Sequence, residues 1–236
     1  MARLTMLLEI LLFFFAVVIG CNYYATRLFS HGKCSTMLVL GSGNLFISAV
    51  LLSILGGHTA ELLSYVRLLP QSYTPRIYVS ASTDSLSGKK AIELESKDKK
   101  NDVCRYLIEE LPRAREIGQS FFSSFFTTSC ALISAVVLVL KHQPQLVLCN
   151  GPGTCVPVCF AARLFHIICN IGSCMSFGSG ERRRRTAVVF VESVCRTRSL
   201  SLSGRLLYHL RLAKVIVQWP GLLENYPRAQ YLGLLS

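Results

Sequence analysis

Gln145 to Thr154 reads QLVLCNGPGT, a short, largely apolar run that passes directly into Asn150, Gly151, Pro152, Gly153 and Thr154. Such a run, closed by glycine and proline, is the pattern of a buried parallel strand ending in a tight turn. An apolar helix is expected straight after it, from Cys155 to Phe165. Strand, glycine turn and helix form the first half of a βαβ unit. In parallel sheets ligands gather beyond the carboxyl ends of the strands, where this turn lies.

The alternation continues in both directions. Thr36 to Leu40 (TMLVL) is a second apolar run, ending in Gly41, Ser42 and Gly43. Thr59 to Leu69 has helical apolar spacing, with Thr59 as N-cap and Glu61 in the first turn. Arg76 to Ser80, Thr186 to Val191 and Lys214 to Val217 are further strands. The predicted fold is α/β, a mostly parallel Rossmann-like sheet. Its strand-end turns are Gly41 to Gly43 with Gly56 to Glu61, Asn150 to Thr154, and Glu192 to Arg198. Glycine-rich turns that open helices present free N–H groups and a positive dipole end, a setting for phosphate. Asp84 to Glu116 carries eight acids and eight bases, and reads as solvated connection and surface helix.

The 236 residues suffice for one such domain and an anchor. Apolar residues make up 51% and charged residues 16%, a balance that leans toward membrane contact. The net charge of +12 is concentrated late: from Gln119 to Ser236, twelve Lys or Arg face three acids. That surface attracts phosphate groups, in anionic lipid, nucleotides or nucleic acid. The ten cysteines show no CxxC pair and sit in apolar stretches, so they read as reduced and mostly buried. Cys149, Cys155 and Cys159 lack a histidine at zinc-finger spacing, and no metal is expected. GxxxxGK[ST], GxGxxG and HExxH are all absent, and a nucleotide hydrolase of the P-loop type is disfavoured. His58 beside Glu61 has two readings, an acid/base pair or a packing histidine at a helix start.

Leu4 to Gly20 is a 17-residue apolar run interrupted by Glu9. It reads as a membrane anchor over residues 1–21 or as a cleaved signal peptide. Arg27, Lys33 and the basic body follow it, which places residues 35–236 on the cytosolic side. Ser35 to Ala60 and Gln119 to Leu140 are also uncharged apart from the histidine in the first. Spans near residues 4–20, 37–57 and 121–140 would make a multi-span membrane protein, the main alternative. The serines and threonines of the third run favour a helix on a sheet or against the membrane surface.

Several blocks together resemble one family: VLGSG (Val39 to Gly43), GHTAELL (Gly57 to Leu63), PRAREIGQS (Pro112 to Ser120), LVLCNGPGTCVP (Leu146 to Pro157), VESVCR (Val191 to Arg196), LSLSGRLLYHL (Leu200 to Leu210) and VQWPGLLENYP (Val217 to Pro227). They are similar to the asparagine-linked glycosylation 14 protein family, the membrane-anchor subunits of a UDP-N-acetylglucosamine transferase. The resemblance implies a fold like the N-terminal half of a GT-B glycosyltransferase. It implies a single-pass endoplasmic reticulum protein facing the cytosol that adds the second GlcNAc to dolichol-pyrophosphate-linked GlcNAc. The implied partner is a cytosolic donor-binding subunit, the asparagine-linked glycosylation 13 protein, which supplies UDP-GlcNAc; no cofactor and no nucleic acid is implied. A non-catalytic scaffold that only tethers this partner is the other alternative.

Carried onto this chain, the resemblance implies that Gly41, Ser42, Gly43, Gly57 and His58 frame the acceptor, with His58 or Glu61 as the base. Asn150, Gly151, Gly153 and Thr154 would form a second wall, and Glu192 with Arg196 a third. Trp219, Tyr226, Tyr231, Leu232, Leu234 and Leu235 would meet the partner. Two insertions depart from the family, near residues 44–56 and 166–185. The first, NLFISAVLLSILG (Asn44 to Gly56), either bulges out or replaces the preceding strand with Ala49 to Leu55. In the replaced register Gly41, Ser42 and Gly43 leave the site.

Overall fold

All five residues from Thr36 to Leu40 are buried, which for a strand requires cover on both faces and partners on both edges. The computed structural model, described for residues 34–41, 57–97, 106–114, 121–151, 153–175 and 186–233, provides both. This strand, β1, pairs in parallel with β2 (Arg76–Ala81) and β4 (Leu146–Asn150). The sheet is completed by β3 (Tyr106–Leu111), β5 (Ala187–Val191), β6 (Lys214–Val217) and β7 (Gln230–Tyr231), all parallel, in the order β3-β2-β1-β4-β5-β6-β7. The strand order reverses direction between β1 and β4, and at such a switch point two diverging turns leave a crevice.

Among the described residues six helices connect the strands: α1 (Gly57–Leu68), α2 (Ser85–Lys97), α3 (Phe121–His142), α4 (Cys155–Met175), α5 (Leu202–His209) and α6 (Leu222–Asn225). Alternate residues of β1 feed two cores, as the period of two requires. Met37 and Val39 face the helical layer that includes α3, α4 and α5, while Leu38 and Leu40 face α1 and α2. A buried polar cluster ties β2 to α2: Arg76 Nη1 lies 3.1 Å from Glu95 Oε1, and the Tyr78 hydroxyl donates to the same oxygen at 2.5 Å.

Several expectations are corrected. Thr59 is not an N-cap, because α1 already begins at Gly57, whose φ of +62° makes the turn. The charged stretch hides a strand as well as a helix: β3 is an edge strand, and its Glu109 accepts from Lys141 Nζ and His142 Nε2 of α3, each at 2.8 Å. The replaced register is overturned, since Thr36 to Leu40 occupy the sheet and Gly41 stays beside Asn150. The multi-span alternative loses two spans. Met37 to Leu40 belong to a central strand, and α3 packs on α4 and β3, with Thr127 and Thr128 Oγ1 each donating to the Ala114 carbonyl at 2.9 Å. Among the described residues no helix is long and apolar enough to cross a membrane. The helix expected to stop at Phe165 continues to Met175, into the second insertion. The anchor run, Ser42, Gly43, the 44–56 insertion, Leu234 and Leu235 lie outside the described residues.

Candidate functional site

At the β1/β4 switch point two glycines bring two turns into contact. A Cβ on Gly41 would lie 2.5 Å from the Asn150 carbonyl oxygen and 2.9 Å from Gly151 Cα. Gly151 has φ +116°, and a Cβ there would meet Gly41 Cα at 2.9 Å and the His58 side chain at 3.2 Å. Only glycine permits this approach. It lets the first turn of α1 lay His58 against the end of β4.

A chain of side-chain hydrogen bonds then crosses three strand-end turns. Ser193 Oγ donates to Glu61 Oε1 at 2.9 Å, and Asn150 Nδ2 donates to Glu61 Oε2 at 2.9 Å. Asn150 Oδ1 lies 3.1 Å from His58 Nδ1. A carboxylate only accepts, so Glu61 fixes the orientation of the fully buried Asn150 amide and turns its oxygen toward the imidazole. His58 Nδ1 must then carry the hydrogen. In the neutral ring this leaves the lone pair on Nε2, for which no partner exists among the described residues. The arrangement is a half-buried imidazole with its tautomer set by two residues behind it.

Supporting polar groups sit around the cluster. Thr59 Oγ1 donates to the Gly41 carbonyl at 3.3 Å and lies 2.7 Å from Ser87 Oγ, which donates to Asp84 Oδ2 at 2.6 Å. One turn beyond Glu61, Tyr65 accepts from buried Gln218 Nε2 at 2.9 Å. Burial, and then the nearby Glu61 charge, push its phenol up to about 12. The N-terminal end of α4 faces the same edge of the sheet, where Gly153 has φ +70° and its N–H reaches Ser203 Oγ at 3.4 Å. Thr154 is buried, and its hydroxyl has no hydrogen-bond partner among the described residues.

The structure therefore brings together Gly41, Gly57, His58, Glu61, Asn150 and Gly151, with Gly153 and Thr154 at the adjoining helix start. Glu192 is not gathered with them. Its carboxylate is buried against the start of α5, accepting from Ser201 N at 2.9 Å, Ser201 Oγ at 3.0 Å and Ser193 N at 3.3 Å. Burial raises its pKa despite those donors and the Arg196 charge. Arg196 is exposed in the turn, its N–H bonded to the Ser193 carbonyl. Two of the expected partner-facing residues are used internally: Trp219 Nε1 donates to the Val194 carbonyl at 2.7 Å, and Tyr226 stands edge-on to Tyr208 at 5.3 Å. Tyr231 and Leu232 are exposed at the β7 edge.

Sequence reasoning missed Ser193, Tyr65, Gln218 and the Thr59–Ser87–Asp84 cluster. Ser193 carried a usable signal, since it lies next to Glu192 in the VESVCR block, just beyond a strand. Tyr65 and Gln218 are 153 residues apart, and only the fold joins them.

Comparison with known proteins agrees with this architecture. The crystal structure of MurG from Acinetobacter baumannii superposes with a TM-score of 0.52 at 15% identity, over 85% of this chain and 45% of that one. This shows the fold, with the chain spanning about half the length of the bacterial protein. The UDP-N-acetylglucosamine transferase subunit ALG14 of Rattus norvegicus is 44% identical over 182 residues, which is 75% of this chain and 78% of the relative. Its namesakes in Homo sapiens, 42% identical over 75% of this chain and 78% of the relative, and in Yarrowia lipolytica, 42% identical over 87% and 82%, match along comparable lengths. The family described as "Oligosaccharide biosynthesis protein Alg14 like" matches residues 47–235. The chain belongs to the Alg14 family.

Proposed function

We propose that this protein is the acceptor-side subunit of a UDP-N-acetylglucosamine transferase, working with a separate donor-binding subunit on a pyrophosphate-linked lipid sugar. Family membership supports the reaction class. The observation that carries the residue assignment is the Ser193–Glu61–Asn150–His58 hydrogen-bond chain at the switch point.

In glycosyl transfer an acceptor hydroxyl attacks the anomeric carbon of the sugar nucleotide, the bond to the nucleotide diphosphate breaks, and the hydroxyl proton must leave. His58 Nε2 takes that proton in this reading. Asn150 and Glu61 hold the ring in the tautomer that leaves Nε2 free to accept it. The N-terminus of α4, with Gly151 and Gly153 opening the turn, supplies backbone N–H groups for the acceptor pyrophosphate. The donor nucleotide is assigned to the partner subunit in this reading, as the sequence resemblance implies.

Location at the endoplasmic reticulum with the body in the cytosol is part of the same proposal. It rests on the apolar run Leu4 to Gly20 and the basic residues that follow it. The partner is inferred to be the asparagine-linked glycosylation 13 protein and the acceptor dolichol-pyrophosphate-linked GlcNAc, as the sequence resemblance implies.

The test is co-purification with the donor subunit, followed by transfer from UDP-GlcNAc to the lipid acceptor. His58→Ala should leave assembly intact and lower turnover by about 100-fold or more, the usual scale of general base catalysis. Unchanged turnover would assign the chain to tethering alone.

A further inference from the structure

A cavity of about 320 Å³ opens at the amino-terminal ends of β5 and β6, the sheet edge opposite His58. Arg163 of α4, Arg211, Lys214 of β6 and Arg228 line it, with Tyr208 among them and no acidic side chain among the described residues. Arg228 is held in place: its Nη2 donates to the Tyr208 carbonyl at 3.1 Å and its guanidinium carbon lies 4.3 Å from the Tyr208 ring centroid. Its backbone N–H donates to the Tyr208 hydroxyl at 3.2 Å, and this contact, with the side-chain charge, lowers the pKa of the phenol. Arg163, Arg211 and Lys214 form no ion pair among the described residues. Arg211 occupies the left-handed position after α5, at φ +54°, a place where glycine or asparagine is usual.

Four cations from three parts of the chain, around a concavity that no described acid lines, concentrate positive potential where nothing in the described fold offsets it. Guanidinium groups match phosphate oxygens in paired hydrogen bonds, and the volume lies at the small end of ligand pockets. We propose that this cavity binds a phosphate-bearing anion, either a phospholipid headgroup or a soluble polyphosphate. The exposed Phe160, Leu164 and Ile167 share a helical face with Arg163, so an acyl chain leaving the cavity would meet apolar surface. The site lies apart from the proposed transferase chemistry and does not depend on it.

The test uses the full chain in neutral detergent. Calorimetric titration with inorganic pyrophosphate is run beside titration with phosphatidylcholine micelles carrying or lacking phosphatidylinositol phosphate. Saturable binding of pyrophosphate identifies a soluble ligand class; binding only of the phosphoinositide micelles identifies a lipid headgroup. Either result requires that the double variant Arg211→Gln, Lys214→Gln bind at least about tenfold more weakly, the scale of losing a charged hydrogen bond. Both residues are exposed, so the variant should melt like the wild type and keep its transferase activity. Failure of both ligands to bind overturns the proposal. So does binding that survives the double variant and disappears in His58→Ala, which would belong to the other edge of the sheet.

Discussion

Asn150 donates its amide hydrogen to Glu61 Oε2 at 2.9 Å across 89 residues of sequence, and through that bond a glutamate on α1 determines which nitrogen of His58 bears a proton. Asn150 is fully buried, so its amide has no solvent alternative.

This relationship makes a prediction that separates orientation from charge. In Glu61→Gln the new amide can still accept from Asn150 and donate to the Ser193 hydroxyl, so turnover should stay within about tenfold of wild type. Asn150→Asp replaces the Nδ2 donor with a second acceptor, so that two carboxylates face each other and the oxygen beside His58 loses its anchor on Glu61. Turnover there should fall by about 100-fold or more. Steady-state transfer assays decide; a Glu61→Gln variant as weak as Glu61→Ala would show that the glutamate acts by charge.

The glycines at the turn make a second prediction. Gly41→Ala drives a methyl group into the Asn150 carbonyl and Gly151 Cα, both backbone atoms, and should destabilise by about 1–3 kcal/mol while displacing His58. Gly153→Ala meets open space, with strain only from its φ of +70°, and should cost about 1 kcal/mol. Denaturant unfolding of both variants measures the difference, and equal losses would contradict the close-approach argument.

Ser201 has two roles at the start of α5: its hydroxyl accepts from Gly204 N at 3.0 Å and donates to Glu192 Oε2 at 3.0 Å. Ser201→Ala should cost about 1–2 kcal/mol, lowering Tm by about 2–4 °C per kcal/mol for a chain of this size. The Glu192 carboxyl, raised by burial, holds its proton more tightly folded than unfolded. Its contribution to stability should therefore fall as pH rises from the ordinary carboxyl value through the raised folded value. Glu192→Gln should remove that part of the pH dependence. Melting curves across this range that match the wild-type slope would contradict the assignment.

Trp219 and the β7 edge should separate cleanly. Trp219→Phe loses the bond to the Val194 carbonyl and loosens the turn that carries Ser193, so turnover should drop while the donor subunit still co-purifies. A combined Tyr231→Ala, Leu232→Asp change on the exposed edge should weaken co-purification instead. The opposite pattern would return Trp219 to the docking surface.

Five of the seven strands were legible because their residues follow the rule for buried parallel strands, continuous apolar runs stopped by glycine or a polar turn. β3 (YLIEEL) was not, because an edge strand meets solvent and its glutamates mimic a surface loop. Nothing in local sequence announces that Glu109 will be matched by Lys141 and His142 from a helix far along the chain. In the same way, composition marked Gln119 to Leu140 as apolar enough to suggest a membrane span, and the packing of α3 on α4 and β3 assigned it to the protein.

By itself the sequence determined the class of fold and the strand-end turns, because burial period and glycine placement are local properties, and its family resemblance nominated His58, Glu61 and Asn150. Tertiary structure decided which of the nominated residues meet. It turned Glu192 and Trp219 inward to hold α5 and the Ser193 turn, recruited Ser193, and linked Glu61 through Asn150 to His58. The reason is geometric: a hydrogen bond exists only where folding brings donor and acceptor within about 3 Å, and no pattern along a single chain encodes that distance.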